Sequence, residues 1–324
     1  MLNRRTLLKA AALSATTPSF AQEVNQARIY YGFPAGSAGD SVARRVAERI
    51  GGTAYTKNPG IVENKAGAGG RIALDLLKTS PADGSVLTLT PSSCICVYPH
   101  IFTRLSYNPF TDFRPVAMAG FMHLGIAVGP LVPSSIDTLP EFLAWAKNNP
   151  AHATFASPGA GSTPHFIGSL LGTRAGFELR HLSYRGTVPA MTDLLGGQIP
   201  SLITTAGDFL QYHAAGKLRV LAVSGRQRLP LLRAVPTLSE HGYHDLTVEE
   251  SFAFYAPART PKQVVERANA AISAAVRDKS VVENLASLGV TAQASTVEEL
   301  AETPAREHKR WGPLVKTVGF TSDS

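Results

Sequence analysis

The strongest constraint on this chain is a unit that occurs twice: a β-rich run, a loop of glycine and other small residues, then a run of helical periodicity. Residues 27–33 pass through Pro34-Ala35-Gly36-Ser37-Ala38-Gly39-Asp40 into 41–50, where Val42, Val46 and Ile50 recur at helical spacing. Residues 153–156 pass through the loop 157–163 into 164–175, which opens on Pro164 as helix first turns often do. Around these units lie strands predicted at 60–64, 86–90, 124–128, 179–183, 199–204 and 220–223. Helices are predicted at 72–78, 139–148 (capped by Ser135 or Asp137) and 189–195. The tail carries helices at 262–278, 280–288 and 297–318 but no complete unit of its own, so it is expected to return to the first unit, with 252–255 as a returning strand. The pattern predicts two α/β lobes joined by two crossovers, a clam shell whose cleft faces the strand C-termini, where open α/β sheets bind ligands.

Composition narrows the function. The 324 residues suit about two domains, and 44% hydrophobic content excludes global disorder. No apolar run approaches the roughly 18 residues of a membrane span. The net charge of +7 falls to +4 without Arg4, Arg5 and Lys9, and the remaining basic residues are scattered, so no nucleic-acid stripe is present. Residues 1–21 have a basic start, an apolar middle and the small-residue exit Ser19-Phe20-Ala21, the layout of an export signal cleaved after Ala21. Asn3-Arg4-Arg5-Thr6-Leu7-Leu8-Lys9 is similar to a twin-arginine motif, the Sec route being the alternative, so a periplasmic location is expected. Cys94 and Cys96 read as free buried thiols, and nine scattered histidines offer no metal-ligand spacing.

Both glycine loops open helices. Backbone N–H groups and the helix dipole there favour an anion, by about 0.3–1 kcal/mol and up to roughly 2 kcal/mol when partly buried. Two such loops facing one another would hold a small carboxylate. A competing reading is a secreted serine hydrolase, because Ala35-Gly36-Ser37-Ala38-Gly39 imitates a nucleophile elbow. Ser37 would then need His165 or His181 as base and Asp193 or Asp208 as orienter. Against it, the first elbow position is Ala and the loop follows the first strand of the chain.

Many segments in order carry a resemblance: 33–40 with Val42-Ala43-Arg44, then 62–70 (Val-Glu-Asn-Lys-Ala-Gly-Ala-Gly-Gly), Ala82-Asp83-Gly84 and Tyr107-Asn108-Pro109. Residues 159–165, Tyr184-Arg185-Gly186, 193–198 (Asp-Leu-Leu-Gly-Gly-Gln), Gly216-Lys217-Leu218-Arg219 and Val235-Pro236-Thr237 continue it. Over the whole mature chain it resembles the extracytoplasmic solute receptors of tripartite tricarboxylate transporters, the Bug family. The resemblance implies a two-lobed periplasmic binding protein of the Venus flytrap, type II-like kind, without catalysis or cofactor. Lobe I is expected at 22–122 and 250–324, and lobe II at 123–249. Such a protein captures a small organic acid and delivers it to inner-membrane permease subunits; a monomer is expected, with no nucleic acid or metal.

Carried over from the family, the candidate ligand contacts are Phe33, Ala35, Gly36, Ser37, Ala38, Gly39 and Asp40 in the first loop. In the second they are Ser157, Gly159, Gly161, Ser162, Thr163 and His165. Ser92 and Ser93 follow the third strand and are expected to line the cleft, and Thr204 and Thr205 stand where many relatives have Asp-Asn. Gly39 stands where relatives have Thr, and Pro200 where they often have Asp. With only hydroxyls at 204 and 205, a carboxylic acid without a cationic amino group is expected, with Asp40 capping its own helix.

Overall fold

The computed structural model describes residues 24–321, so the expected signal segment 1–21 lies outside the described residues. Strand β1 (Val24–Tyr31) leads into helix α1 (Ala38–Arg49), followed by β2 (Thr56–Asn64), α2 (Arg71–Thr79) and β3 (Val86–Pro91). Two single-turn helices, α3 (Ser93–Cys96) and α4 (Tyr98–Ile101), precede the long strand β4 (Phe113–Val128). Then come α5 (Leu139–Asn148), β5 (Thr154–Ser157), α6 (Thr163–Arg174), β6 (Arg180–Ser183), α7 (Thr187–Leu195) and β7 (Ser201–Thr205). The chain continues through α8 (Leu210–Ala214), β8 (Arg219–Val223), β9 (Glu249–Pro257), α9 (Lys262–Arg277), α10 (Lys279–Ser287), β10 (Val290–Ala292) and α11 (Val297–Val318).

The strands run in the order β2-β1-β3-β9-β4-β7-β5-β6, with β8 and β10 also pairing to β4. Pairing of β1 with β2 and β3, and of β5 with β6 and β7, is parallel, whereas β9 is antiparallel to both β3 and β4. The sheet is therefore mixed, unlike the purely parallel pattern that alternation suggests. Strand β4 holds it together. Its first part, Phe113 to His123, pairs with β9; its last, Leu124 to Val128, pairs with β7 and β8. The chain crosses from one lobe to the other along β4 and crosses back on entering β9, which gives a two-lobed α/β fold with two crossovers.

Several local expectations shift. Only 124–128 were expected of β4; its earlier part, buried on both faces over Val116 to Gly120, lacks the alternation that marks a strand from sequence. Cys94 and Cys96 sit on a helical turn, both buried and free, and burial pushes the Cys94 thiol up to about 12. Helix α5 is capped by Thr138, whose hydroxyl accepts from Glu141 N while the Glu141 carboxylate accepts in return, so neither Ser135 nor Asp137 is the cap. In the tail, α9 packs on α1 and β4, and β10 pairs with β4, as a returning tail should. Helix α11, however, reaches past lobe I to α6, with the Trp311 ring 6.0 Å from Phe166.

The hydrophobic core is continuous through the molecule: one cluster runs from Leu74 and Tyr98 through Phe155 and Phe166 to Trp311. The far faces of the lobes are filled by separate clusters around Ile29, Val42 and Ile272, and around Leu194, Leu202 and Phe209. One backbone contact brings the end of β7 against the tail. A Cβ on Gly207 would overlap the Leu288 carbonyl oxygen, and Gly289 packs against Gly207 from the same side. Backbone cannot swing aside as a flexible side chain can, so Gly207→Ala should force these segments apart. Overpacking of this kind costs about 1–3 kcal/mol. We expect a correspondingly lowered midpoint in a urea melt; an unchanged midpoint would show that the contact is slack.

Candidate functional site

Helix α1 starts at the loop after β1. Ser37 is its N-cap, its hydroxyl accepting from Asp40 N at 3.4 Å. Asp40 faces back to the loop: its carboxylate accepts from Gly36 N (3.0 Å), Arg44 Nε (3.0 Å) and Asn64 Nδ2 (2.8 Å). Burial acts to raise this carboxyl, but those bonds outweigh it and hold it below the usual carboxylate range. Asp40 thus caps and braces its helix, and Asn64 ties the loop by donating to Phe33 O at 3.0 Å.

In lobe II, the loop before α6 is held by its own residues. Ser162 Oγ donates to Gly159 O at 2.6 Å, and Gly161 N donates to His165 Nδ1 at 2.9 Å. The His165 and His181 rings stack at 3.9 Å, and His181 Nε2 lies 2.7 Å from Ser157 Oγ. That last distance suits a nucleophile and base, yet Ser157 is fully buried, and no carboxylate bonds either ring among the described residues. Burial pushes His165 down to about 4 and His181 to about 3, so both are neutral at pH 7. Ser37 has no histidine near it: its hydroxyl lies 3.4 Å from both the Tyr31 hydroxyl and Pro34 O.

A cavity of about 50 Å³ lies between these helix starts. Of the sequence candidates, Phe33, Ser37, Ala38, Gly39, Ser93, Ser162, Thr204 and Thr205 line it. The others lie elsewhere. Gly36 borders a neighbouring cavity of about 370 Å³, and Ala35 is exposed. Ser92 lines a separate cleft beside Arg226 and Arg310, and Asp40, Ser157, Gly159, Gly161 and His165 form the framework behind the loops. Thr163 is buried and turns its hydroxyl to Glu250.

Sequence reasoning missed the acids of this wall. Asp208, considered only as a hydrolase orienter, accepts from Ala38 N at 3.0 Å and from Thr204 Oγ1 at 3.3 Å. It therefore sits on the first backbone donor of α1. Glu250, from β9, accepts at Oε1 from Ser93 N (3.1 Å) and Thr163 Oγ1 (3.3 Å). Burial pushes Asp208 up to about 6 and raises Glu250 as well, against the opposing pull of those bonds. The expectation that only hydroxyls face a ligand is thus corrected: Thr204 and Thr205 are joined by two carboxylates. A signal for Glu250 was available, since it shares strand parity with Phe252 and Phe254. Asp208, four residues beyond Thr204 in an irregular segment, gave none.

Tyr31, the third residue missed, explains a departure in the first loop. A Cβ on Gly39 would overlap the Tyr31 hydroxyl and lie 2.6 Å from Phe252 Cζ. The phenol fills the space that a side chain at 39 would take, and burial keeps it protonated.

Two α/β lobes, a shared long strand and a cavity between paired helix starts define a periplasmic-type solute-binding protein. The family model for the tripartite tricarboxylate transporter family receptor matches residues 42–320. Protein BugT of Bordetella pertussis is 32% identical over 89% of this chain and 87% of its own. The solved structure of the periplasmic binding protein BugD superposes with a TM-score of 0.86 at 28% identity, over 92% of this chain and 98% of that one. MatC from Rhodopseudomonas palustris, solved with bound malate, gives a TM-score of 0.82 at 26% identity, over 90% and 99%. The chain belongs to the tripartite tricarboxylate transporter receptor family, the Bug receptors. These are periplasmic solute-binding receptors and not enzymes.

The histidine stack makes acid stability testable. Above pH 6.5 both rings are neutral, folded or unfolded. Below it the unfolded chain takes up protons that the folded stack refuses, so stability falls towards pH 4, by at most about 1.4 kcal/mol per pH unit for each ring. Asp208 and Glu250 act oppositely: the raised value of Asp208 costs stability as pH rises from about 4 to 6, and that of Glu250 works in the same direction. Five histidines held down by burial (His100, His123 and His241 beside the stacked pair) against two raised carboxylates leave a net loss on acidification. Thermal melts at pH 7 and pH 5 should show a lower midpoint at pH 5, and His181→Gln should shrink that difference. An equal difference in the variant would remove the stack as its source.

Proposed function

We propose that this chain is exported, loses residues 1–21, and serves as a receptor that captures a small carboxylic acid between lobe I (22–122 and 250–324) and lobe II (123–249). It then delivers the acid to the inner-membrane permease of a tripartite transporter. The observation that carries this reading is the cavity walled by both helix starts, Ser37 to Gly39 on one side and Pro158 and Ser162 on the other. Helix N-termini favour anions, and the related MatC was solved with a bound carboxylate, malate. Closure of the lobes excludes water and strengthens each polar contact. The Tyr31 and Ser37 hydroxyls and the first-turn backbone at Gly39 are the donors we assign to the ligand carboxylate.

A melting screen against small organic acids tests this. A ligand at 100 times its Kd adds about 2.7 kcal/mol of stability. Ser37→Ala should weaken binding by about 1 kcal/mol, one hydrogen bond, with no esterase activity in either form. Ester hydrolysis lost with Ser37 would reverse the reading. For export, intact mass of protein recovered from the periplasm should begin at Gln22; retention of Met1 on exported protein would refute the cleavage site.

A further inference from the structure

We infer that the ligand is a zwitterion, an acid bearing a cationic nitrogen, and that Asp208 and Glu250 hold the nitrogen across the cavity. The inference rests on the receptor reading above and names the substrate class of the same site. Among the described residues, the cavity wall contains two carboxylates and no lysine, arginine or histidine. A dicarboxylate would bring two more negative charges into a space that offers no counter-charge, and desolvated like charges repel strongly. The donors that would otherwise receive a second carboxylate are taken: Ala38 N by Asp208, and Ser93 N and Thr163 Oγ1 by Glu250. The bonds to Glu250 from Ser93 N and Thr163 Oγ1 both fall on Oε1, and this residue is only 4% exposed.

The apolar part of the wall points the same way. Tyr31, Phe33 and Phe252 form an aromatic group, with the Tyr31 ring centroid 5.5 Å from Phe33 and 6.4 Å from Phe252. Aromatic faces attract cations, and carboxylates beside aromatic rings are the composition of an ammonium site. A buried ammonium needs carboxylates or several carbonyls to offset its lost hydration, and here two carboxylates from different lobes supply that need. The ligand's own carboxylate is left to the Tyr31 and Ser37 side of the cavity.

Calorimetric titration at pH 7.5 with matched pairs tests the inference: succinate against aspartate, glutarate against glutamate, and adipate against 2-aminoadipate. We expect the amino acid to bind at least tenfold more tightly in every pair that binds. Asp208→Asn and Glu250→Gln should each cut that ratio at least tenfold, mainly by weakening the amino acid, in variants whose melts show them folded. Tighter binding of the dicarboxylates overturns the inference and leaves the receptor reading intact. An unchanged ratio in both variants overturns the assignment to Asp208 and Glu250. Failure of every acid in both sets to bind overturns the receptor reading and this inference with it.

Discussion

Two buried carboxylates, each bonded to donors from separate elements, set the terms for the rest of this molecule. A carboxylate removed from water must find hydrogen-bond donors or neutralise. Asp208 finds them in Ala38 N and Thr204, Glu250 in Ser93 N and Thr163. Each acid therefore pins the start of a helix: α1 for Asp208, and for Glu250 both α3 and α6. The glycine loops can stay small and open because acids elsewhere in the chain hold the helices they introduce.

The framework behind the loops follows the same economy of partners. Asp40 and Asn64 brace the first loop from below, and the stacked His165 and His181 brace the second. These groups point away from the cavity. That explains why residues belonging to a ligand-gripping segment, such as Asp40 and Ser157, do not line it. A loop that approaches a ligand with its backbone needs its side chains for its own support.

Much of the architecture was legible because it rests on local periodicity. The limits of α5 and α11, the return of β9 and the doubling of the glycine loop all follow from spacing along the chain. The first part of β4 was not legible, since a strand buried on both faces loses its period of two, and β10 is too short to show one. At the site, the helix starts were readable because glycine, serine and an acid at fixed offsets have a local cause. Glu250 and Asp208 have none: their positions depend on long-range pairing, of β9 with β3 and β4 and of β7 with β4. Tyr31 was missed because it ends a strand whose neighbours all read as core; its place in the cavity wall and the overlap at Gly39 reveal its role.

Closure and recognition share atoms in this cavity. Asp208 lies on the wall between the cavity of about 50 Å³ and its neighbour of about 370 Å³, and its bond to Ala38 N is part of that wall. In the receptor proposed above, opening of the lobes would break this bond and the Thr163–Glu250 bond together, exposing both carboxylates to water, where they are well solvated. Closing them again removes that solvation. The closed state is therefore favoured most by a ligand whose charge balances what closure buries. Selectivity of the proposed receptor would then lie in the closing step rather than in first contact. An acid of unsuitable charge can touch either helix start in the open form, but it gains little from shutting the two carboxylates in beside it.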